Sequence, residues 1–266
     1  MLNIMAGAHP AIMSNVAAQG VATGASYDAA TLAYLAAMSV QPDATRKGLI
    51  DALITGLKSD GVWALLDLLA LPAAHDAQAG LINTINPALV LTISGTMTFT
   101  TDRGYAGDGS SGYISTVTND NGWSKFSQNS MAFGCWLNVN ATVALVMGQV
   151  TGATLRLVPT NGTSMTARIG NTTSLLGTNA VGTGLAMANR ADGNNTALYF
   201  NGASLATSAA SASSALSGEP LLMNRTATIY STVRAAAVII GGSLNATNHA
   251  ALYARLNTYL TAIGAA

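Results

Sequence analysis

The sequence predicts a mostly-β chain: an antiparallel jelly-roll β-sandwich preceded by a small helical hairpin and closed by a C-terminal α-helix. Three observations predict it. Beyond Asn86-Pro87, short apolar runs of strand length recur with turn dipeptides between them. No helical spacing interrupts those runs, which excludes the alternating pattern of a parallel α/β sheet. Before Asn86, and again at the end of the chain, apolar residues fall instead at i, i+3, i+4 spacing.

Taken in order, residues 1 to about 40 are rich in Ala and Gly, with Met5, Ile12, Met13, Val16 and Val21 scattered among small residues. That stretch has too little bulk for a core of its own. Leu32, Leu35 and Met38 place a short helix within Tyr27 to Val40, and residues 1–41 read as an arm ordered against another subunit. Residues 42–86 read as the helical hairpin. Pro42 and Asp43 start a helix whose Leu49, Ile50, Leu53, Ile54 and Leu57 share one face. Ser59-Asp60-Gly61 stops it and caps a second helix carrying Val62, Leu65, Leu66 and Leu69, and Pro72 introduces a third short one from Ala73 to Ile82.

Residues 87–266 read as the sandwich and its closing helix. Strands are expected at Met97 to Thr100, Gly112 to Thr116, Ser130 to Val139, Val143 to Val150, Thr154 to Val158, Ser164 to Ile169, Gly184 to Asn189, Thr196 to Phe200, Pro220 to Met223 and Ala235 to Ile240. Asp108-Gly109, Asn121-Gly122, Asn161-Gly162, Asp192-Gly193 and Asn201-Gly202 supply the turns, because Asn, Asp and Gly tolerate the positive φ that tight hairpins demand. Leu252, Leu256, Tyr259, Leu260 and Ile263 then form one stripe of a final helix, Ala250 to Ile263, followed by Gly264.

Composition narrows the function. Only 8% of the 266 residues are charged, eleven basic against eleven acidic, whereas half are apolar. Ordinary soluble domains carry roughly 25% charge, so this chain either hides surface in an oligomer or wears an uncharged Asn, Thr, Ser and Gly surface. Nucleic acid is not an expected partner, since phosphate binding needs clustered Lys and Arg. Cys135 stands alone and reads as a small buried apolar residue. The first charged residue is Asp28, so no basic signal-peptide start is read, and no apolar run is long enough for a membrane span.

Enzymatic chemistry finds no support in the residues. A glycosidase needs two carboxylates facing the scissile bond, and no expected strand carries a pair of acids; Glu219 stands alone before Pro220. His9, His75 and His249 fall in the arm or the helices, away from Cys135, and no Gly-x-Ser-x-Gly elbow or phosphate-binding glycine loop is present. The chain is expected not to be an enzyme. Weaker candidates remain. Calcium is a candidate ligand for oxygen-rich turns containing Asp102, Asp108 and Asp120, with Asn119 and Asn121 beside them and Asp192, Asn194 and Asn195 elsewhere. For glycan binding, an exposed aromatic platform points to Trp123, in its Asn-Gly-Trp turn, and to Tyr113 or Tyr230; Trp136, mid-strand, reads as core.

A family resemblance adds to this reading. The run from Pro42 to Thr116 resembles a segment of phage and prophage structural proteins, in which a helical hairpin ending in a Gly-Val-Trp helix precedes a Phe-x-x-Asp-x-Gly-Tyr-x-Gly-Asp-Gly-Ser turn. Here these are Gly61, Val62 and Trp63, then Phe99, Asp102, Gly104, Tyr105, Gly107, Asp108, Gly109 and Ser110. The closing stretch, Ser243 to Ala266, is similar to the C-terminal helix of the same proteins, and the middle is similar to concanavalin-like (laminin-G-type) sandwiches. The resemblance covers residues 42 to 266 and implies a virion component of a tailed bacteriophage, a head fibre, capsid decoration or tail protein. It implies other virion proteins and further copies of the chain as partners, with a trimer the expected oligomer, and assembly into the virion in the bacterial host. The alternative is an adhesin that recognises bacterial surface polysaccharide.

Overall fold

The computed structural model describes residues 26–139, 146–151 and 154–266. Helices α1 (Ala29–Ala36) and α2 (Ala44–Ser59) come first. Then follow β1 (Leu66–Ala70), β2 (Thr92–Ser94), β3 (Met97–Thr100), β4 (Gly104–Gly107), β5 (Tyr113–Asn119), β6 (Met131–Val139), β7 (Met147–Gly148), β8 (Leu155–Val158) and β9 (Ser164–Ile169). The chain continues through β10 (Ser174–Thr178), β11 (Gly184–Arg190), β12 (Thr196–Phe200), β13 (Ala203–Ser208), β14 (Pro220–Met223), β15 (Arg225–Thr226), β16 (Ile229–Tyr230) and β17 (Arg234–Gly241), and α3 (Ala246–Ala262) closes it.

Each helix starts at a side-chain cap that satisfies an otherwise unpaired backbone N–H. Asp28 accepts from Ala30, Asp43 from Arg46, and Asn245 and Asn248 cap α3 reciprocally. None of the helices is long and apolar enough to cross a membrane among the described residues.

The described strands form two large antiparallel sheets and a separate two-stranded hairpin, β15-β16. One has the order β13-β12-β11-β6-β17-β4-β3, with β1 also on β17; the other runs β10-β9-β8-β7-β14-β5-β2. Phe133, Cys135, Leu137, Leu198 and Val238 from the first sheet meet Ile114, Leu155, Leu157, Met165 and Met223 from the second in the core between them. The alternate residues of the first sheet, among them Trp136, Leu185, Met187, Tyr199 and Ile239, face a second core built with Leu53, Leu57, Leu252, Leu256 and Leu260 of the helices. The molecule is therefore layered helix, sheet, sheet. Gly134 is required where β6 and β11 approach, since a Cβ there would lie 2.1 Å from the Ala186 carbonyl oxygen. Asn201 and Gly202 both take positive φ and turn β12 into β13, directly under α3.

The mostly-β antiparallel sandwich, the preceding helices and the closing helix are as the sequence predicts. Several expectations are corrected. The second helix, through Leu69, is a 3₁₀ turn (Trp63–Leu65) followed by strand β1, whose Leu66, Leu69 and Leu68 are divided between the two cores. The third, from Ala73, reduces to a 3₁₀ turn at Ala79–Leu81, which leaves His75 in a loop. The helical pair ahead of the sandwich is thus α1 with α2, not two helices within 42–86. Nor is α1 reserved for another subunit: Tyr34, Leu35 and Met38 are buried against this chain's own helices. The rest of the expected arm, residues 1–25 with His9, lies outside the described residues, as does 143–145 of the expected strand Val143 to Val150, of which Met147–Gly148 is paired.

Candidate functional site

Where β17 leaves the first sheet and α3 begins, the outer face of that sheet is uncovered and forms a cleft of about 530 Å³. Ligand sites typically span roughly 300–1,000 Å³. Its walls come from the ends of β11, β12 and β13 and from the capped start of α3. Asn189, Asn195, Thr207, Ser208, Ser243, Asn245 and Asn248 supply amides and hydroxyls, Leu65, Ala191 and Ala209 the accessible apolar surface over buried Leu244, Ala197 and Tyr199, and no lining residue is charged.

The amides are held in place. Asn189 accepts from the Leu244 N–H at 2.8 Å, and Asn195 donates to the Asp192 carboxylate at 2.7 Å. The Thr196 hydroxyl lining the cleft is buried with no hydrogen-bond partner among the described residues. Beneath it, Tyr199 stacks on His249 with ring centroids 3.7 Å apart. Burial pushes the His249 imidazole down to about 3, so it is neutral near pH 7. Such a surface can exchange hydrogen bonds with neutral hydroxyls and offer an apolar patch to a ring face.

The residues expected to bind glycan are divided. Tyr113 of β5 in the second sheet and Tyr230 of the separate β15–β16 hairpin come together, ring centroids 6.4 Å apart. Sequence reasoning missed Arg225, whose guanidinium lies 4.7 Å from one ring and 5.3 Å from the other. Nothing in a two-residue strand foretold that the β15–β16 hairpin would fold back over β5. Trp123 is elsewhere and is not an exposed platform: it is half-buried against the inter-sheet core, its indole N–H enclosed without a partner among the described residues. Its loop is pinned by Asp67, whose carboxylate accepts from the backbone N–H groups of Ser124, Lys125 and Phe126. Asp67 lies in the stretch expected to be the second helix, so this contact has no signal in the sequence.

The three aspartates considered for calcium are not brought together. Asp102 pairs with Arg46 of α2 at 2.5 Å. Asp108 accepts five hydrogen bonds from Ser110, Ser111 and Gly112, led by the Ser111 N–H, which hold its carboxyl well below the usual carboxylate range. Asp120 is buried and accepts from Gln149, Ser217 and Gly218. Among the described residues no three His, Cys, Asp or Glu side chains cluster as a metal site would require. Asp102 instead satisfies a helix, Asp108 its own turn, and Asp120 the donors of two other loops.

The sequence matches no family model, and no curated protein matches it. Solved structures are more informative. The receptor binding domain of the botulinum neurotoxin C/D mosaic serotype superposes with a TM-score of 0.51 at 9% identity, over 72% of this chain and 51% of that one. The shared fold is an antiparallel β-sandwich. The structure titled HCR/D F1240A mutant gives 0.53 at 10% identity, over 71% and 52%. A Trypanosoma rangeli sialidase in complex with 2,3-difluorosialic acid gives 0.51 at 12% identity, over 80% and 39%. The chain thus spans about half or less of the length of these proteins, and at such identities the likeness is one of fold.

Proposed function

We propose that this chain is a non-enzymatic, glycan-binding display module of a tailed-phage virion, and that the cleft at the start of α3 takes neutral sugar residues. The observation that carries the binding half is the cleft itself: an uncharged wall of amides and hydroxyls beside Leu65, Ala191 and Ala209, at the margin of a β-sandwich. Orientation by a few fixed polar groups over an apolar patch is how small-ligand sites usually work. No acid lines the cleft, so it offers no carboxylate pair for hydrolysis. The receptor binding domain among the structural neighbours supports a recognition role. The virion half rests on the resemblance of Pro42 to Thr116 and of the closing helix, and on the low charge, which suits a surface partly covered by further copies and by other virion proteins.

The test has two arms. A glycan array probed with the whole chain is expected to show binding to neutral bacterial surface oligosaccharides. The variant Ala209→Trp, which fills the cleft at an exposed position, is expected to weaken it at least tenfold with melting unchanged. Absence of any sugar binding, together with tight association to virion proteins, leaves a purely structural role. Immunogold labelling of intact particles checks the second arm, and an unlabelled particle sinks the virion assignment.

A further inference from the structure

The outer face of the second sheet carries a different chemistry. Its strands contain two charged residues, Arg156 in β8 and Arg168 in β9, and no acid. The two stand directly opposite each other in the β8–β9 register. Leu155, Leu157, Met165, Ala167 and Ile169 point into the core, so by alternation both arginines project from the other face. The same cross-strand row places Ser174 beyond Arg168 and Gly148 beside Arg156. Against Gly148 sits Thr226 of the β15–β16 hairpin, close enough that a Cβ would lie 2.9 Å from it. The arginine pair is therefore bounded by hydroxyl-bearing residues at both ends.

Like charges directly opposite on a sheet destabilise it. Arg156 registers this, since burial first and the Arg168 charge second lower its tendency to hold a proton. Its Nε is buried without a hydrogen-bond partner among the described residues, and it takes part in none of the ion pairs found there. Every Asp and Glu of the chain lies within the described residues, so none is left over to neutralise it. A buried cationic donor without a partner is costly. An arriving oxyanion would remove both penalties, and the planar guanidinium fork suits a carboxylate. Nucleic acid fits poorly, because stable binding to a phosphate backbone draws on many more cations than one pair.

We infer that Arg156 and Arg168 form the anion-binding element of a second saccharide subsite, one that takes the carboxylate of an acidic sugar. This rests on the reading that the chain binds saccharides, but it uses the opposite side of the molecule from the cleft. Titration calorimetry of the whole chain tests it with a hexuronate oligosaccharide, its carboxyl-reduced neutral counterpart and a sulfated oligosaccharide. The hexuronate is expected to bind and to weaken with added salt, and the carboxyl-reduced form to bind at least tenfold more weakly. Arg156→Gln combined with Arg168→Gln is expected to lower hexuronate affinity at least tenfold, whereas Ala209→Trp leaves it unchanged.

Equal binding of the acidic and reduced forms overturns the inference, and so does a folded double variant that binds as the parent does. Binding of the sulfated sugar alone overturns the carboxylate assignment. Should the double variant fail to fold, the acidic and reduced pair measured on the parent chain still decides. Neutral-glycan binding without hexuronate binding sinks this subsite and spares the cleft; the reverse sinks the cleft alone.

Discussion

The two sheets of the sandwich share one core but meet different surroundings on their outer faces. The first is roofed by α2 and α3, and its strands are buried on both sides: Ala132 and Trp136 of β6 face the helices while Met131, Phe133 and Cys135 face the second sheet. Among the described residues no helix roofs the second sheet, and β9 alternates buried and half-buried residues through Ser164–Ile169. A strand covered on both faces reads as a continuous apolar run, and one covered on a single face as an alternation. The difference teaches that the uncovered sheet is where the chain can afford Arg156, Arg168 and hydroxyls. On the roofed sheet, the uncharged polar cleft lies at the margin where α3 begins.

The largest expected effect breaks that asymmetry at its centre. Trp136 is 4% exposed and stacks on Tyr253 of α3, ring centroids 5.6 Å apart and planes within 6°. Truncating a buried Trp typically costs about 3–5 kcal/mol. Trp136→Ala is expected to lose that much in urea unfolding and to loosen the helical layer. On the open sheet, Leu176 is 61% exposed, and Leu176→Ala is expected to change stability by less than about 0.5 kcal/mol. Comparable losses at both positions would mean that the second sheet is also covered.

The same contrast explains what was legible in the sequence. Ser164–Ile169 alternates and has the expected bounds because pleat and turn chemistry both mark it, whereas Thr196–Phe200 and Pro220–Met223 do not alternate and owe their expected bounds to the turn residues that flank them. Leu66–Ala70 was read as helix because Val62, Leu65, Leu66 and Leu69 also satisfy helical spacing. A short apolar run buried on both faces cannot declare its period, and only pairing with β17 decides it. The candidate sites were less legible still. Tyr113 and Tyr230 were singled out, but their partner Arg225 and the opposition of Arg156 to Arg168 exist only once the hairpin and register are fixed. The cleft residues carried no signal as a group, being Asn, Ser and Thr like much of the chain.

A smaller effect comes from the histidine beneath the cleft. His249 is buried, both ring nitrogens lack partners among the described residues, and burial lowers its pKa from 6.5 to about 3. Because the folded value is depressed, the unfolded chain binds the extra proton first. The stability of the neutral form is fully present above pH 6.5 and is lost progressively as pH falls toward 3. At pH 5 the loss is expected to be about 2 kcal/mol, from roughly 1.4 kcal/mol for each unit below 6.5. Urea midpoints at pH 7 and pH 5 measure it, and His249→Phe, which keeps a ring against Tyr199, should flatten the difference. A variant with an unchanged slope places the acid sensitivity elsewhere.

The smallest expected effect lies at the edge of the roof. Arg255 of α3 reaches Asp60 at the end of α2 through two hydrogen bonds, at 2.8 and 3.1 Å, with 43% and 24% of the side chains exposed. Its hydrogen bonds hold the Asp60 carboxyl below its ordinary pKa. The contribution of the pair is therefore present above the unfolded carboxylate pKa, near 4, and fades as pH falls below it. Exposed pairs are worth only about 0.2–1 kcal/mol, so Arg255→Ala should cost no more than about 1 kcal/mol in urea unfolding. If charge carries that cost, about 0.5 M salt should shrink it. The Arg255 stem also lies over Gly56, where a Cβ would come within 2.8 Å of its Cδ. A cost that salt leaves untouched would assign the contact to this packing, making α3 a roof held by shape rather than by charge.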